Sequence, residues 1–167
     1  TRTGFFAALD KMGATMERLN QWDEAGELIG NLKICHQSLK GIIIDENDVP
    51  GLIDELPIIA ILATQANGRT EVCGAEELRV KECDRIYALC KNLKKMGADI
   101  EELQDGFIIH GPTPLKGADI ETFHDHRIAM AFTIAGLVTN GDVVLDHPEC
   151  VSISFPEFYD VLENLKQ

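Results

Sequence analysis

No stretch of this sequence approaches the roughly 18 consecutive apolar residues that a membrane-spanning helix needs, and its start lacks the basic-then-apolar layout of a secretory signal. No two of its cysteines, Cys35, Cys73, Cys83, Cys90 and Cys150, stand in a C-x-x-C arrangement. An odd count at wide spacings argues against a disulfide framework and against a zinc or redox clip, and fits free thiols in a reducing compartment. The cytoplasm is the expected location. Positive charge is scarce as well, with 15 Lys and Arg against 28 Asp and Glu for a formal charge of -13. Binding to nucleic acid draws on clustered cations to release counterions, so that class of partner is not expected, nor is a membrane. A small anionic ligand fits only if the few cations are concentrated in one place. An initiator Met is missing too: Thr1-Arg2-Thr3-Gly4 leads straight into an apolar helical pattern, and the expectation is a fragment or processed chain.

What is present suits one soluble globular domain with a core of its own, since 45% of the 167 residues are hydrophobic and 26% charged. The chain also repeats itself. Lys11-Met12-Gly13-Ala14 recurs as Lys95-Met96-Gly97-Ala98, Leu39-Lys40-Gly41 as Leu115-Lys116-Gly117, and Asn67-Gly68 as Asn140-Gly141. Recurrence in the same structural context marks a repeated supersecondary unit.

The complete unit, 38–112, reads as a strand near Ile42–Ile44, a helix from about Glu55 to Ala66, a strand near Thr70–Cys73 and a helix from about Lys81 to Met96. Two strands close it, Asp99–Leu103 and Phe107–His110, around a turn at Asp105-Gly106. The order is βαβαββ. Ile86, Leu89, Cys90, Leu93 and Met96 recur at three- and four-residue steps and form one buried stripe. A truncated unit over 1–37 keeps a helix from Gly4 to Met12 and strands at Thr15–Leu19 and Leu28–His36. A partial unit over 113–167 has strands at Ala118–Glu121 and Val143–Leu145, a helix from His126 to Val138 and a last helix from Pro156 to Leu165. The fold class is α/β, or α+β.

Charge concentrates in three places. Arg79-Val80-Lys81-Glu82-Cys83-Asp84-Arg85 is the densest. It reads either as a solvated first helical turn, with Lys81 to Asp84 and Glu82 to Arg85 paired at i,i+3, or as an anion site. The second reading gains from Lys81 and Arg85 sharing a helix face near an N-terminus whose partial positive charge disfavours cations. Asp125 is a natural N-cap, and Arg127 in the first turn behind it is well placed to share a phosphate or carboxylate with the exposed backbone N–H groups. Asp54, just before Glu55-Leu56-Pro57, reads as a helix cap or as a general base for a substrate hydroxyl. His124 and His126 make an H-x-H pair with no suitably spaced third ligand, so no metal is expected. All three clusters fall at helix starts, which side-by-side repeats would gather at one end.

These segments resemble a known family. Glu77-Leu78-Arg79-Val80-Lys81-Glu82-Cys83-Asp84-Arg85 is similar to the L-R-V-K-E-[ST]-D-R signature of 5-enolpyruvylshikimate-3-phosphate synthases. Asp125-His126-Arg127-Ile128-Ala129-Met130 is similar to their D-H-R-[IM]-A-M block. Ile53-Asp54-Glu55-Leu56-Pro57 and Ser154-Phe155-Pro156-Glu157-Phe158 resemble two further family segments. The resemblance implies a two-lobed transferase of the shikimate pathway, each lobe an inside-out α/β barrel of three βαβαββ units, with this chain as an incomplete C-terminal lobe and the N-terminal lobe as its partner. The substrates it implies are phosphoenolpyruvate and shikimate 3-phosphate, with no cofactor. It assigns Asp54 as proton acceptor from the attacking hydroxyl and as a shikimate 3-phosphate contact, Lys81 as a second such contact, and Arg85 and Arg127 as the grip on phosphoenolpyruvate. Glu82 falls near the methylene carbon as a proton shuttle, with Glu77 and His126 in support.

Two departures stand out: Cys83 replaces the usual Ser or Thr, and Ile153 falls where some members place a phosphate-binding Lys. The rival readings are a UDP-N-acetylglucosamine enolpyruvyl transferase, whose family lacks the two charged blocks, and a non-catalytic domain retaining the fold. The chain alone is expected to be inactive.

Overall fold

The computed structural model describes residues 3–165. Helix α1 (Gly4–Lys11) leads into a hairpin of β1 (Met16–Glu24) and β2 (Glu27–Ile34), turned at Ala25-Gly26 with both residues at positive φ. The twist of such a turn matches that of the strands it joins. Then come β3 (Ile43–Ile44), α2 (Leu56–Gln65), β4 (Gly68–Val72), α3 (Arg85–Lys95), β5 (Asp99–Leu103) and β6 (Gly106–Gly111). They form one four-stranded sheet in the order β3-β4-β6-β5, parallel between β3 and β4 and antiparallel elsewhere. The expected βαβαββ order is present. β7 (Lys116–Ile120), α4 (His126–Ala135) and β8 (Asn140–Leu145) repeat its first half as a parallel pair bridged by a helix, and α5 (Phe158–Leu165) follows.

The repeated motifs perform the same backbone task at both occurrences. Gly13 and Gly97 take φ of +88° and +84° just past α1 and α3. Ala14 N–H then reaches Leu9 O and Ala98 N–H reaches Leu93 O, each at 2.9 Å, the six-to-one bond that closes a helix over a left-handed residue. Lys40 and Lys116 next donate to Met12 O and Met96 O, which ties each strand start to the preceding helix end.

Packing places the helices inside. α2, α3 and α4 touch one another, and each also rests on strands of its own unit. The α3 stripe of Ile86, Leu89, Cys90, Leu93 and Met96 is wholly buried, as its spacing predicts. α2 buries Leu56, Ile59, Ala60, Ile61 and Ala63, and α4 adds Ile128, Ala131 and Phe132 to the same core. The hairpin is different: Trp22, Leu28, Leu32 and Ile34 are all exposed there. Among the described residues no helix is long and apolar enough to cross a membrane.

Strands β1 and β8 are longer than expected and the last helix starts two residues later, and three further boundaries depart from expectation for local reasons. The helix expected over 81–96 begins only at Arg85. Residues Glu76–Val80 form a 3-10 turn, and Asp84, in an extended conformation, caps α3 by accepting from Tyr87 N–H at 2.9 Å. Lys81 therefore lies outside the helix and does not share a face with Arg85. The helix from His126 stops at Ala135, because Leu137 and Val138 switch to i,i+3 bonds onto Ile134 O and Ala135 O. The β5–β6 turn falls at Gln104-Asp105, and Gly106 is already strand, where a side chain would collide with the Val72 carbonyl.

Candidate active site

The three charged clusters meet at Asp54. It sits in a 3-10 turn, Ile53–Glu55, so the residue at the α2 cap is Glu55 and the Asp54 carboxylate points elsewhere. Its Oδ1 accepts from an Arg85 terminal nitrogen at 3.2 Å and its Oδ2 lies 3.6 Å from Arg127. Its backbone carbonyl accepts a second Arg127 nitrogen at 3.1 Å. Residues from the starts of three helices thus share one point.

Arg85 is the hub, with no exposed surface. Nε donates to Asp125 Oδ2 at 2.7 Å, and a terminal nitrogen donates to Glu82 at 2.6 Å. Burial works against its charge, but the Asp125 bond and the nearby carboxylates outweigh it and hold the guanidinium above the ordinary arginine value. Asp125 is equally buried and caps α4 as expected, accepting from Arg127 N–H at 2.8 Å and Ile128 N–H at 3.3 Å. Its second role as the counter-ion of Arg85 was not foreseen; the D-H-R spacing signals a cap and carries no sign of a partner forty residues upstream.

Of the residues singled out by sequence, Asp54, Glu82, Arg85 and Arg127 come together. The Glu82 to Arg85 pair exists, whereas Asp84 pairs with Arg79 at 2.8 Å instead of with Lys81. Lys81 is partly exposed and makes no ion pair among the described residues. Glu77 is exposed in the 3-10 turn, and His126 is buried at the first position of α4. His124 diverges from His126 and stacks on His147, ring centroids 3.9 Å apart. Ile153 is exposed at the end of a 3-10 turn over Pro148–Ile153 and supplies no cation.

Beside Asp54 and Arg127 opens a cleft of about 200 Å³ whose apolar wall includes Pro57, Met130, Ile134 and Phe158. A larger cleft of about 460 Å³ near Leu137, Val144 and Tyr159 is lined by an acid, Asp142, and by no cation. Of these two, the smaller is the one lined by a cation, Arg127.

The Cys83 thiol lies 3.6 Å from Asp125 Oδ2. Burial first, then the Asp125 charge and bond, push it up to about 12. Burial likewise takes Cys90 to about 12. Each unit above ambient pH lowers the thiolate fraction about tenfold. At pH near 8, iodoacetamide should therefore label exposed Cys35 while Cys83 and Cys90 stay unmodified until the protein unfolds. Peptide mass spectrometry reads this; early labelling of Cys83 would contradict its burial.

Helices packed together against repeated sheets give this chain the enolpyruvyl transferase fold. The enolpyruvyl transferase NikO of Streptomyces tendae shares it at a TM-score of 0.71 over 98% of this chain and 35% of its own, a likeness of fold alone at 17% identity. The chain belongs to the EPSP synthase (3-phosphoshikimate 1-carboxyvinyltransferase) family, whose model matches residues 1–162. The 3-phosphoshikimate 1-carboxyvinyltransferase of Sulfurihydrogenibium sp. strain YO3AOP1 is 47% identical over 167 residues, covering 100% of this chain and 39% of the relative. That of Aquifex aeolicus strain VF5 is 48% identical over 161 residues, 96% of this chain and 37% of its own. A solved EPSP synthase of Acinetobacter baumannii superposes with a TM-score of 0.93 at 42% identity, over 98% of this chain and 38% of that one. The chain spans about two fifths of the length of these relatives.

Proposed function

We propose that this chain forms, within a longer protein, one side of a site that transfers the enolpyruvyl group of phosphoenolpyruvate to the 5-hydroxyl of shikimate 3-phosphate. The observation that carries the reading is the meeting of Asp54, Arg85 and Arg127 from three separate motifs, with Asp54 and Arg127 lining one cleft. In this reaction the hydroxyl adds to C2 while C3 takes a proton. Phosphate then leaves as the new methyl group gives a proton up. Asp54 accepts the hydroxyl proton, and Arg127 and Lys81 hold anionic groups of the two substrates.

Arg85 reaches phosphoenolpyruvate only if an incoming anion displaces Glu82, whose half-exposed side chain is the most accessible of the three carboxylates on the guanidinium. Glu82, freed from Arg85, is then the proton donor to C3. Glu77 and His126 take supporting places.

We read the chain as an incomplete C-terminal lobe, with units over 1–37, 38–112 and 113–167, that closes on an N-terminal lobe. The exposed apolar side chains of the β1–β2 hairpin support this, as does the open edge of β2, since its counterpart β6 pairs with β4. Five free thiols fit work in a reducing cytoplasm.

The test is phosphate release by the full-length protein when both substrates are supplied. Arg127→Ala should raise KM for phosphoenolpyruvate about 10- to 150-fold, the value of a charge-assisted contact, with little change in melting temperature. Release with UDP-N-acetylglucosamine instead would favour the rival transferase, and none with either acceptor would favour a non-catalytic domain.

A further inference from the structure

Immediately before Asp125, Phe123 and His124 both take positive φ, +55° and +56°, although neither is glycine. Such residues are unfavourable and persist only where their surroundings over-determine them. The surroundings do so from two sides. On α3, Asn92 is fully buried among the apolar stripe, and its side-chain amide closes both bonds with the Glu121 backbone, Nδ2 donating to Glu121 O at 2.8 Å and Oδ1 accepting from Glu121 N–H at 3.1 Å. Beyond β8, Asp146 Oδ1 accepts from both the N–H and the hydroxyl of buried Thr122, at 2.9 and 2.7 Å. Phe123 then lies against the Tyr87 ring and near the Lys91 ammonium, and His124 stacks on His147. The next residue is Asp125, which holds Arg85 and caps the turn that carries Arg127.

We propose that Asn92 is a positioning residue for the phosphoenolpyruvate side of the site, with Asp146 as its counterpart: the two clamp the strained loop over 121–124 so that Asp125 and Arg127 are held in place before substrate arrives. A buried Asn in the middle of an apolar helix face is otherwise unfavourable, and here every hydrogen bond its amide makes goes to this loop. The chain of contact runs from Asn92 to Glu121, through the strained residues to Asp125, and from there to both arginines. Loosening it should disturb Arg127 and leave Lys81, on a different loop, in place. The assignment of Arg127 to phosphoenolpyruvate rests on the function proposed above, but the clamp itself does not.

The experiment uses the full-length protein with Asn92→Ala and, because a buried vacancy can impair folding, Asp146→Ala as an independent second variant at a more exposed position. Each should raise KM for phosphoenolpyruvate about tenfold, within the range expected when a contact group is displaced by up to an ångström, and change KM for shikimate 3-phosphate less than about twofold. Asp146→Asn keeps an acceptor oxygen for Thr122 and should restore the normal KM. Hydrogen exchange should quicken in the peptide over 121–130 and not in β3 or β4. Unchanged exchange over 121–130 in both variants would overturn the clamp, as would equal shifts of both KM values. Faster local exchange in a protein that does not turn phosphoenolpyruvate over would keep the clamp and sink the functional reading.

Discussion

Replacing Arg85 by alanine is expected to destabilise the protein by about 3–5 kcal/mol, the cost of removing one partner from a buried ion pair. Arg85 and Asp125 both have no exposed surface, and the bond between them is 2.7 Å long. Without the guanidinium, Asp125 keeps two backbone N–H groups and the Cys83 thiol but no opposite charge at contact distance. Asp54 would lose its Oδ1 contact as well. Arg85→Lys should recover little, since an ammonium cannot span Asp54, Glu82 and Asp125 in one plane. Arg85→Met with Asp125→Asn should be milder than Arg85→Ala, because no unpaired charge stays behind.

The effect should also be flat in pH over the neutral range. A cation whose folded value is raised contributes fully below its unfolded value and fades only as pH climbs through the raised one. Urea unfolding at several values between about pH 6 and 9 reads both points. A loss below about 1 kcal/mol would show that water reaches Asp125 and that the cluster is not the sealed hub described above.

What sequence revealed and what it hid follow from how local each signal is. The α3 stripe, the Gly13 and Gly97 helix ends and the Asp125 cap depend on neighbours within six residues, so spacing alone finds them. Lys81 to Asp84 carries charges at helical spacing, which predicts a start for α3 ahead of the true one at Arg85. Arg79 overrides that pattern by turning away from the cleft to Asp84, Glu102 and the carbonyls of Leu103 and Gln104. Nothing in the local pattern couples Arg79 to a turn more than twenty residues on, or Asn92 to Glu121. The same holds for Asp54, whose sequence neighbours suggest a cap while its carboxylate crosses to two other helices. Motif resemblance named the candidate site residues, but their pairing with one another is a property of the fold.

That inward pairing bears on the last prediction, that the 167-residue chain folds alone yet shows no turnover. Its core is continuous across α1 to α4, which favours folding. The site itself offers little to an anion. Arg85 is engaged by three carboxylates and Arg127 by Asp54, which leaves Lys81, of the cations proposed for the site, without an ion pair among the described residues. A formal charge of -13 on the whole chain adds a weak repulsion. Phosphoenolpyruvate would have to compete with Glu82 for Arg85, and shikimate 3-phosphate would find Lys81 in a cleft open to water, where Coulomb attraction is several-fold weaker than in a closed site. Orientation of two substrates against each other, the larger part of what such a site contributes, also requires a second wall. Calorimetry should therefore give a Kd for shikimate 3-phosphate no tighter than about millimolar, and phosphate release should stay at background. Adding the remainder of the longer protein as a separate chain should restore release if closure is what the chain lacks. Micromolar binding or turnover by the purified chain would mean that the site closes without a second lobe, through a dimer or through a site more complete than its exposed hairpin and open cleft suggest.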